Sequence, residues 1–195
     1  MRHQRIWLVV AMLVLAACNR VDPSYSGIDV TGAKFGKDFR LVDPDGRVRT
    51  LADFRGKVVM LFFGFTQCPD VCPTALLRAA EVRKRLGAEG SNLQVIFITI
   101  DPERDTAALM REYTVAFDPS FIGLRTDLEG TRKVADDFNV YFEKIPTGKS
   151  YTMDHSAFSY VFDAQGRLRL VVRDDLSVDQ VLADIRTIMK FSPSA

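Results

Sequence analysis

Two cysteines, Cys68 and Cys72, give the most direct indication of chemistry in this chain. They stand in the stretch GFTQCPDVCPTAL, between an apolar run and a segment of helical pattern. The start of a helix offers unpaired N–H groups and the positive end of the helix dipole, so we expect both thiols to be more acidic than the free value of about 8.5. A thiolate is both a nucleophile and a metal ligand. The pair therefore predicts a disulfide, a metal site or a nucleophilic centre.

The three residues between the thiols help to separate these chemistries. A structural disulfide here would close only a small loop, and the stabilisation from loop closure is then small. Redox thioredoxins use two intervening residues. Residues four apart on a helix place their Cβ atoms roughly 5–6 Å apart, whereas a disulfide needs about 3.8 Å. Two thiolates that each lie about 2.3 Å from one metal ion tolerate the wider gap, so the spacing favours metal binding without excluding redox chemistry.

The N-terminus, MRHQRIWLVVAMLVLAACNR, has the pattern of a bacterial lipoprotein signal. Arg2 and Arg5 precede an apolar run too short to favour a full membrane span, and small residues lead up to Cys18. We predict that residues 1–17 are cleaved, that Cys18 is lipidated, and that 18–36 is a tether. The protein is then a membrane-anchored lipoprotein of the bacterial cell envelope that faces the periplasm. An uncleaved anchor or a plain signal peptide is the alternative, and each also places the domain outside the cytoplasm.

Removal of the signal changes the composition of the mature chain. The 195 residues include 26 Lys and Arg against 25 Asp and Glu, and the loss of Arg2 and Arg5 leaves 24 basic residues. This near-neutral balance implies no nucleic-acid partner. Trp7 and His3 also leave, so His155 is the single histidine of the mature chain.

The elements that must position the thiols follow the order of a thioredoxin-like α/β fold. We predict one domain over 37–192, with a central mixed β-sheet flanked by helices and an N-terminal β-hairpin. Continuous apolar runs predict buried strands at Val58–Phe65 and Leu93–Asp101. Turn residues and periodic apolar positions predict the other elements: hairpins over Phe39–Leu51 and Ser156–Val172, a strand over Phe121–Thr126, and helices over Pro73–Gly90, Asp105–Phe117, Asp127–Phe138 and Ser177–Phe191. Asp105 and Ser177 are predicted to cap their helices.

Two thiolates seldom complete a metal site, and His155 is the candidate for a third ligand. It is predicted to begin the hairpin that lies beside the cysteines in a thioredoxin-like fold. No proline occurs between Met153 and Asp163, where redox thioredoxins carry a cis-proline facing the thiols. Cys68, Cys72 and His155 form a soft donor set that is incomplete for tetrahedral zinc. The set suits copper, as three-coordinate Cu(I) or as Cu(II) with an added oxygen ligand.

Three stretches, GFTQCPDVCPTAL, ITIDPERDT and YTMDHSAFSYVFD, together resemble the Sco/SenC family of copper-binding proteins over Lys37–Lys190. The resemblance implies a membrane-tethered protein that binds copper through Cys68, Cys72 and His155 and supports assembly of the copper centre of cytochrome c oxidase. It implies as partners the copper-bearing oxidase subunit and a periplasmic copper donor. It also implies that Asp101 supports copper binding or the redox state, although Asp101 can equally be a turn residue at a helix entry. Many members use an uncleaved transmembrane helix, whereas this chain carries a lipoprotein signal.

Two enzyme functions remain as alternatives. The Cys68–Cys72 dithiol would serve as the redox-active centre of a thiol–disulfide oxidoreductase that keeps target cysteines reduced. Copper loads only onto a reduced dithiol, so the two roles can be combined. The second alternative is a peroxiredoxin-like peroxidase, because the sequence VCPT around Cys72 resembles that of the peroxiredoxins. In those enzymes a threonine lies three residues before the reactive cysteine, whereas here Pro69 holds that position and Thr66 lies six residues before it.

Overall fold

The central element of the protein is a six-stranded mixed sheet. The structure is a computed structural model and describes residues 23–191, so the predicted signal and Cys18 lie outside the described residues. In spatial order across the sheet, the strands are β1 (Ile28–Asp29), β10 (Leu168–Val172), β9 (Ser159–Phe162), β4 (Val58–Gly64), β5 (Leu93–Thr99) and β6 (Ile122–Leu124).

Helices and two small hairpins surround this sheet. The helices are α1 (Val71–Arg85), α2 (Ala107–Val115), α3 (Leu128–Asp137) and α4 (Val178–Phe191), with short 3₁₀ helices at Leu51–Phe54 and Gly87–Asn92. The hairpins pair β2 (Arg40–Val42) with β3 (Val48–Thr50), and β7 (Phe142–Thr147) with β8 (Ser150–His155). This architecture confirms the predicted thioredoxin-like fold with its N-terminal hairpin.

Strand β4 lies in the middle of the sheet and leads directly to the cysteines. It pairs in parallel with β5 and antiparallel with β9. Every residue of β4 and β5 is buried, as continuous apolar runs predict for strands covered on both faces. The strand ends at Gly64, so the cysteine stretch begins at the carboxyl edge of the sheet.

The N-terminal segment enters the sheet from the end at which β4 finishes. Ile28, which lies in the stretch predicted as a tether, pairs with Val171 of β10. The registers of β10 and β9 place that pair level with Leu61, in the middle of β4, and β1 runs antiparallel to β4, so the residues before Ile28 lie toward the carboxyl end of β4. The buried carboxylate of Asp184 in α4 accepts hydrogen bonds from the backbone N–H groups of Ser26 at 2.9 Å and Gly27 at 2.8 Å. The chain is therefore fastened to the domain from about residue 26 onward.

Two predictions about the secondary-structure elements are wrong. Thr106, and not Asp105, caps α2, because its hydroxyl accepts a hydrogen bond from the backbone N–H of Leu109. Residues 142–155 form the hairpin β7–β8, which was not predicted, so His155 ends this hairpin and does not begin the next one. Among the helices of residues 23–191, none has both the length and the apolar composition that a membrane span requires.

Candidate metal centre

The two cysteines lie where β4 gives way to α1. The helix begins at Val71, so Cys72 sits in its first turn while Cys68 lies in the preceding loop. The backbone N–H of Cys72 donates to the sulfur of Cys68 at 3.4 Å. Both thiols are buried, and neither is in a disulfide. The free N–H groups of a helix start are thus directed at Cys68, as the sequence predicted.

The imidazole of His155 completes a three-residue cluster with the cysteines. Its Nε2 lies 3.6 Å from the sulfur of Cys72, and one ligand atom from each of Cys68, Cys72 and His155 lies within 4.8 Å of the others. Nδ1 lies 3.0 Å from the carbonyl oxygen of Ser156. A carbonyl only accepts hydrogen bonds, so the proton belongs on Nδ1 and the lone pair on Nε2 faces the sulfurs. This arrangement is ready to hold a metal ion.

Two aromatic rings fix the orientation of the imidazole. The rings of Phe62 and Phe65 meet that of His155 edge to face, with centroids 6.1 and 5.9 Å away. Both phenylalanines are buried and come from β4 and the residue after it. The strand that delivers the cysteines therefore also packs the histidine.

The two thiols differ sharply in acidity. A hydrogen bond from the Cys72 thiol, assisted by the backbone N–H groups of Asp70 and Cys72, lowers the pKa of Cys68 to about 4 against the opposing effect of burial. The same bond to Cys68, together with burial, raises the pKa of Cys72 well above its usual value. The expectation that both thiols are more acidic than usual is therefore wrong for Cys72. The metal-free site holds one thiolate and one thiol at neutral pH.

The donor chemistry of this cluster fits copper. Thiolate sulfur and imidazole nitrogen are the ligands that Cu(I) and zinc prefer. Among the described residues, the group of Cys, His, Asp and Glu side chains close enough to share an ion is this set of three. Three donors leave the set short of the four that structural zinc takes.

Asp101 lies near the site without joining the cluster. Its carboxylate is 1% exposed, accepts a hydrogen bond from the Tyr151 hydroxyl at 2.8 Å through Oδ1, and forms an ion pair with Arg104 through Oδ2. Tyr151 lies on β8, four residues before His155. Asp101 therefore contacts the histidine hairpin, which is compatible with the supporting role that the resemblance implied.

Asp105 is a site residue that sequence reasoning missed. It is fully buried and accepts hydrogen bonds from the hydroxyls of Thr66 and Thr99, each at 2.6 Å. The backbone N–H of Thr66 also donates to it. Burial raises the pKa of Asp105 against these hydrogen bonds. Its contacts pin the start of the loop that carries Cys68.

Comparison with known proteins identifies the family. Residues 29–190 match the sequence model of the SCO1/SenC family. The chain belongs to the SCO1/SenC family. An SCO2-like protein of Rickettsia felis is 37% identical over 137 residues, which cover 69% of this chain and 67% of that protein. The mitochondrial SCO2 homolog of Bos taurus is 39% identical over 156 residues, which cover 78% of this chain and 59% of the bovine protein.

Solved Sco structures have the same fold. Bradyrhizobium japonicum ScoI with copper bound is 39% identical, with a TM-score of 0.71, over 78% of this chain and 98% of that one. Apo Sco1 from Thermus thermophilus is 38% identical, with a TM-score of 0.77, over 86% and 99% of the two chains. The predicted family and fold are confirmed, and the copper in such relatives agrees with the copper predicted here.

The site of this SCO1/SenC member differs from those of the two alternative enzymes. Peptide bonds within residues 23–191 are all trans, and His155 stands near the thiols where redox thioredoxins place a cis-proline. Thr66 is the threonine nearest to the peroxiredoxin pattern, and its hydroxyl proton is donated to Asp105, so this proton is not available to a peroxide. Both findings favour a metal site.

Gly64 makes room for the sulfur of Cys72. A Cβ atom at this position would lie 2.6 Å from that sulfur and 2.8 Å from the ring of Phe97, well inside contact distance. We expect Gly64→Ala to lower the free energy of unfolding by roughly 1–3 kcal/mol through overpacking. By displacing Cys72 it should also raise the pKa of Cys68, since the bond from Cys72 is what lowers it most. Urea unfolding and the pH profile of Cys68 alkylation measure the two effects, and an unchanged profile would contradict the second.

Proposed function

We propose that this protein is a copper chaperone that supports assembly of the copper centre of cytochrome c oxidase. The observation that carries the proposal is the convergence of Cys68, Cys72 and the Nε2 lone pair of His155 within 4.8 Å. Copper is the cargo. The copper-bearing oxidase subunit is the recipient, and a periplasmic copper protein is the donor.

Hand-over by ligand exchange follows from the state of the thiols. Cys68 is already a thiolate, and Cys72 must release its proton to bind the ion because metal ligands are deprotonated. A thiolate of the recipient then replaces the ligands of the chaperone one at a time. Cys68 is the more exposed of the two cysteines, at 9% against 0% for Cys72, so exchange of the sulfur ligands is expected to begin at Cys68.

Thiol–disulfide exchange is the second candidate function, and the asymmetry of the thiols favours it. An acidic Cys68 beside a neutral Cys72 is the arrangement of an attacking thiolate and a resolving thiol. The same dithiol cannot hold copper and attack a disulfide at once. Reduction of a target disulfide, which oxidises Cys68 and Cys72 to a disulfide in turn, is therefore an activity of the metal-free protein.

Insulin reduction and cysteine alkylation, measured together, separate carrier from reductase. A carrier should reduce insulin far more slowly than thioredoxin, and one equivalent of copper should protect both Cys68 and Cys72 from alkylation. The His155→Ala protein serves as the matched variant with an intact dithiol, and copper should protect its thiols less. Turnover equal to that of thioredoxin, with thiols that stay reactive in the presence of copper, would make the reductase the better account.

We further propose that the mature protein is held at the periplasmic face of a membrane by lipid on Cys18. Ser26, where the chain is fastened by Asp184, lies eight positions after Cys18, and an extended chain of eight residues spans at most about 28 Å. The chain enters the sheet from the end where the metal site lies. Such a short tether would keep the site near the membrane surface, where a membrane-embedded recipient is found.

Mass spectrometry of the protein purified from membranes tests the anchor. The mature chain is expected to begin at Cys18 and to carry the mass of attached lipid, while Cys18→Ser should leave the signal uncleaved or release the domain from lipid. An intact segment of residues 1–17 in the wild-type protein would instead indicate a membrane-spanning anchor.

A further inference from the structure

The metal site is assembled from two separate parts of the fold. The cysteines come from the loop and helix that follow β4, whereas His155 ends a hairpin that lies outside the central sheet. The three ligand atoms keep their spacing only if this hairpin is held against the cysteine loop. The contacts between the two parts therefore control the geometry of the site.

One side chain, Arg104, bridges these parts. Its Nη1 donates to the backbone oxygen of Tyr151 on the hairpin at 2.8 Å and to Oε1 of Gln67, the neighbour of Cys68, at 3.1 Å. Its Nε pairs with the buried carboxylate of Asp101. The planar guanidinium fork reaches three segments at once, which a single ammonium cannot do.

Stacking reinforces the bridge on the hairpin side. The guanidinium carbon of Arg104 lies 3.7 Å from the centroid of the Tyr151 ring, within the range of a cation–π contact. The ammonium of Lys144 also approaches this ring, at 4.8 Å, and pairs with Glu103. Both oxygens of Asp101 are thus engaged, one by Arg104 and one by the Tyr151 hydroxyl.

The geometry of β8 transmits this anchorage to the histidine. Side chains two and four residues apart on a strand share a face, so Tyr151, Met153 and His155 point to the same side. Met153 is buried and belongs to the apolar core. Holding Tyr151 in place at one end of this row therefore also fixes the direction in which the side chain of His155 points at the other end.

We propose that Arg104 is a positioning residue, which clamps the histidine hairpin to the cysteine loop and thereby sets the affinity of the site for copper. It touches neither the ion nor its ligand atoms and acts through Tyr151, Gln67 and Asp101. This inference rests on the proposed function for its copper readout, while its structural part concerns the metal-free protein alone.

The test compares Arg104→Ala and Arg104→Lys with a matched control. Arg49→Ala removes a similar ion pair, since Arg49 contacts the buried Asp43 at 2.8 Å. The exposed fractions of the side chains are alike, 26% for Arg49 and 4% for Asp43 against 17% for Arg104 and 1% for Asp101. We expect Arg104→Ala to weaken copper binding by about 10- to 100-fold, the range found when groups that orient metal ligands are removed. Arg104→Lys should fall between Arg104→Ala and wild type, and Arg49→Ala should bind as wild type does.

Two further readouts separate positioning from general stability. Amide hydrogen exchange of residues 150–155 in the metal-free full-length protein should quicken in Arg104→Ala and stay unchanged in Arg49→Ala. In a His155→Ala background, Arg104→Ala should weaken copper binding little further, because the clamp then has no histidine to position.

Any one of three results would overturn the proposal. Arg104→Ala and Arg49→Ala could lose copper affinity equally, the losses of Arg104→Ala and His155→Ala could add in the double variant, or amide exchange of residues 150–155 could stay unchanged in Arg104→Ala. If Arg104→Ala does not fold, Tyr151→Phe keeps the ring and removes only the bond to Asp101, and it should show the same effects in smaller measure. Wild-type copper binding by His155→Ala would defeat the proposed function instead, and the exchange measurement would still decide on the clamp.

Discussion

Replacing Cys72 with serine should remove stoichiometric copper binding from the reduced protein. The sulfur of Cys72 is central in the cluster, 3.6 Å from Nε2 of His155 and within hydrogen-bonding reach of Cys68, and a hydroxyl is a poor ligand for a soft ion. The loss of copper affinity should exceed roughly 100-fold in each of Cys72→Ser, Cys68→Ser and His155→Ala, because that is the largest loss typical of residues that only hydrogen-bond to a metal ligand. Competition titration with a Cu(I) chelator measures the affinities.

Ser156→Ala is the control for these variants. Ser156 adjoins the site, but its backbone oxygen, and not its hydroxyl, holds Nδ1 of His155. This variant should therefore bind copper as the wild type does. Unchanged binding by His155→Ala would remove the histidine from the site and would favour the thiol–disulfide function.

Cells whose only copy of the protein carries Cys72→Ser should have the low cytochrome c oxidase activity of a deletion strain. The chaperone function requires the dithiol, and a variant that cannot bind copper cannot deliver it. Excess copper in the medium should restore activity, because the recipient can then load without a carrier. Oxidase activity per cell and copper content of the purified oxidase are the measurements.

The same strains distinguish the two candidate functions. A small thiol reductant should leave the oxidase defect in place if copper delivery is the function. Recovery with the reductant, and none with copper, would contradict the chaperone account. Ser156→Ala again provides the control, with expected wild-type activity.

The central strands and the cysteine helix were predictable because their signals are local. Residues 58–64 form an unbroken apolar run, which is typical of a strand buried on both faces, and the following Cys-Pro stretch marks a helix start. The meeting of Cys68, Cys72 and His155 was predictable only through the fold and the family resemblance, since 83 residues separate Cys72 from His155. Their proximity is confirmed.

The hairpin that carries His155 was not predictable for a physical reason. Strand β7 is almost wholly exposed, so its sequence FEKIPT lacks the alternation of apolar and polar residues that identifies a half-buried strand. The contacts that hold the hairpin come from side chains remote in sequence, above all Arg104 and Asp101. A pattern read along one segment cannot contain them.

Asp105 illustrates the same limit at a single residue. An aspartate just before a helical pattern predicts an N-cap, but Thr106 takes that position and Asp105 turns inward to Thr66 and Thr99. Only the tertiary structure brings those hydroxyls together. The expectation that both thiols are acidic fails for a similar reason. A helix start lowers the pKa of both cysteines, whereas the hydrogen bond between them lowers the pKa of Cys68 and raises that of Cys72.

X-ray absorption at the copper edge of the reduced protein, loaded with one equivalent of copper, examines the proposed ligand set itself. We expect two sulfur donors and one imidazole nitrogen around one copper ion, and we expect the nitrogen to be absent from the copper that His155→Ala retains. A copper environment without sulfur, or one that is the same in His155→Ala and the wild type, would be incompatible with a site made of Cys68, Cys72 and His155.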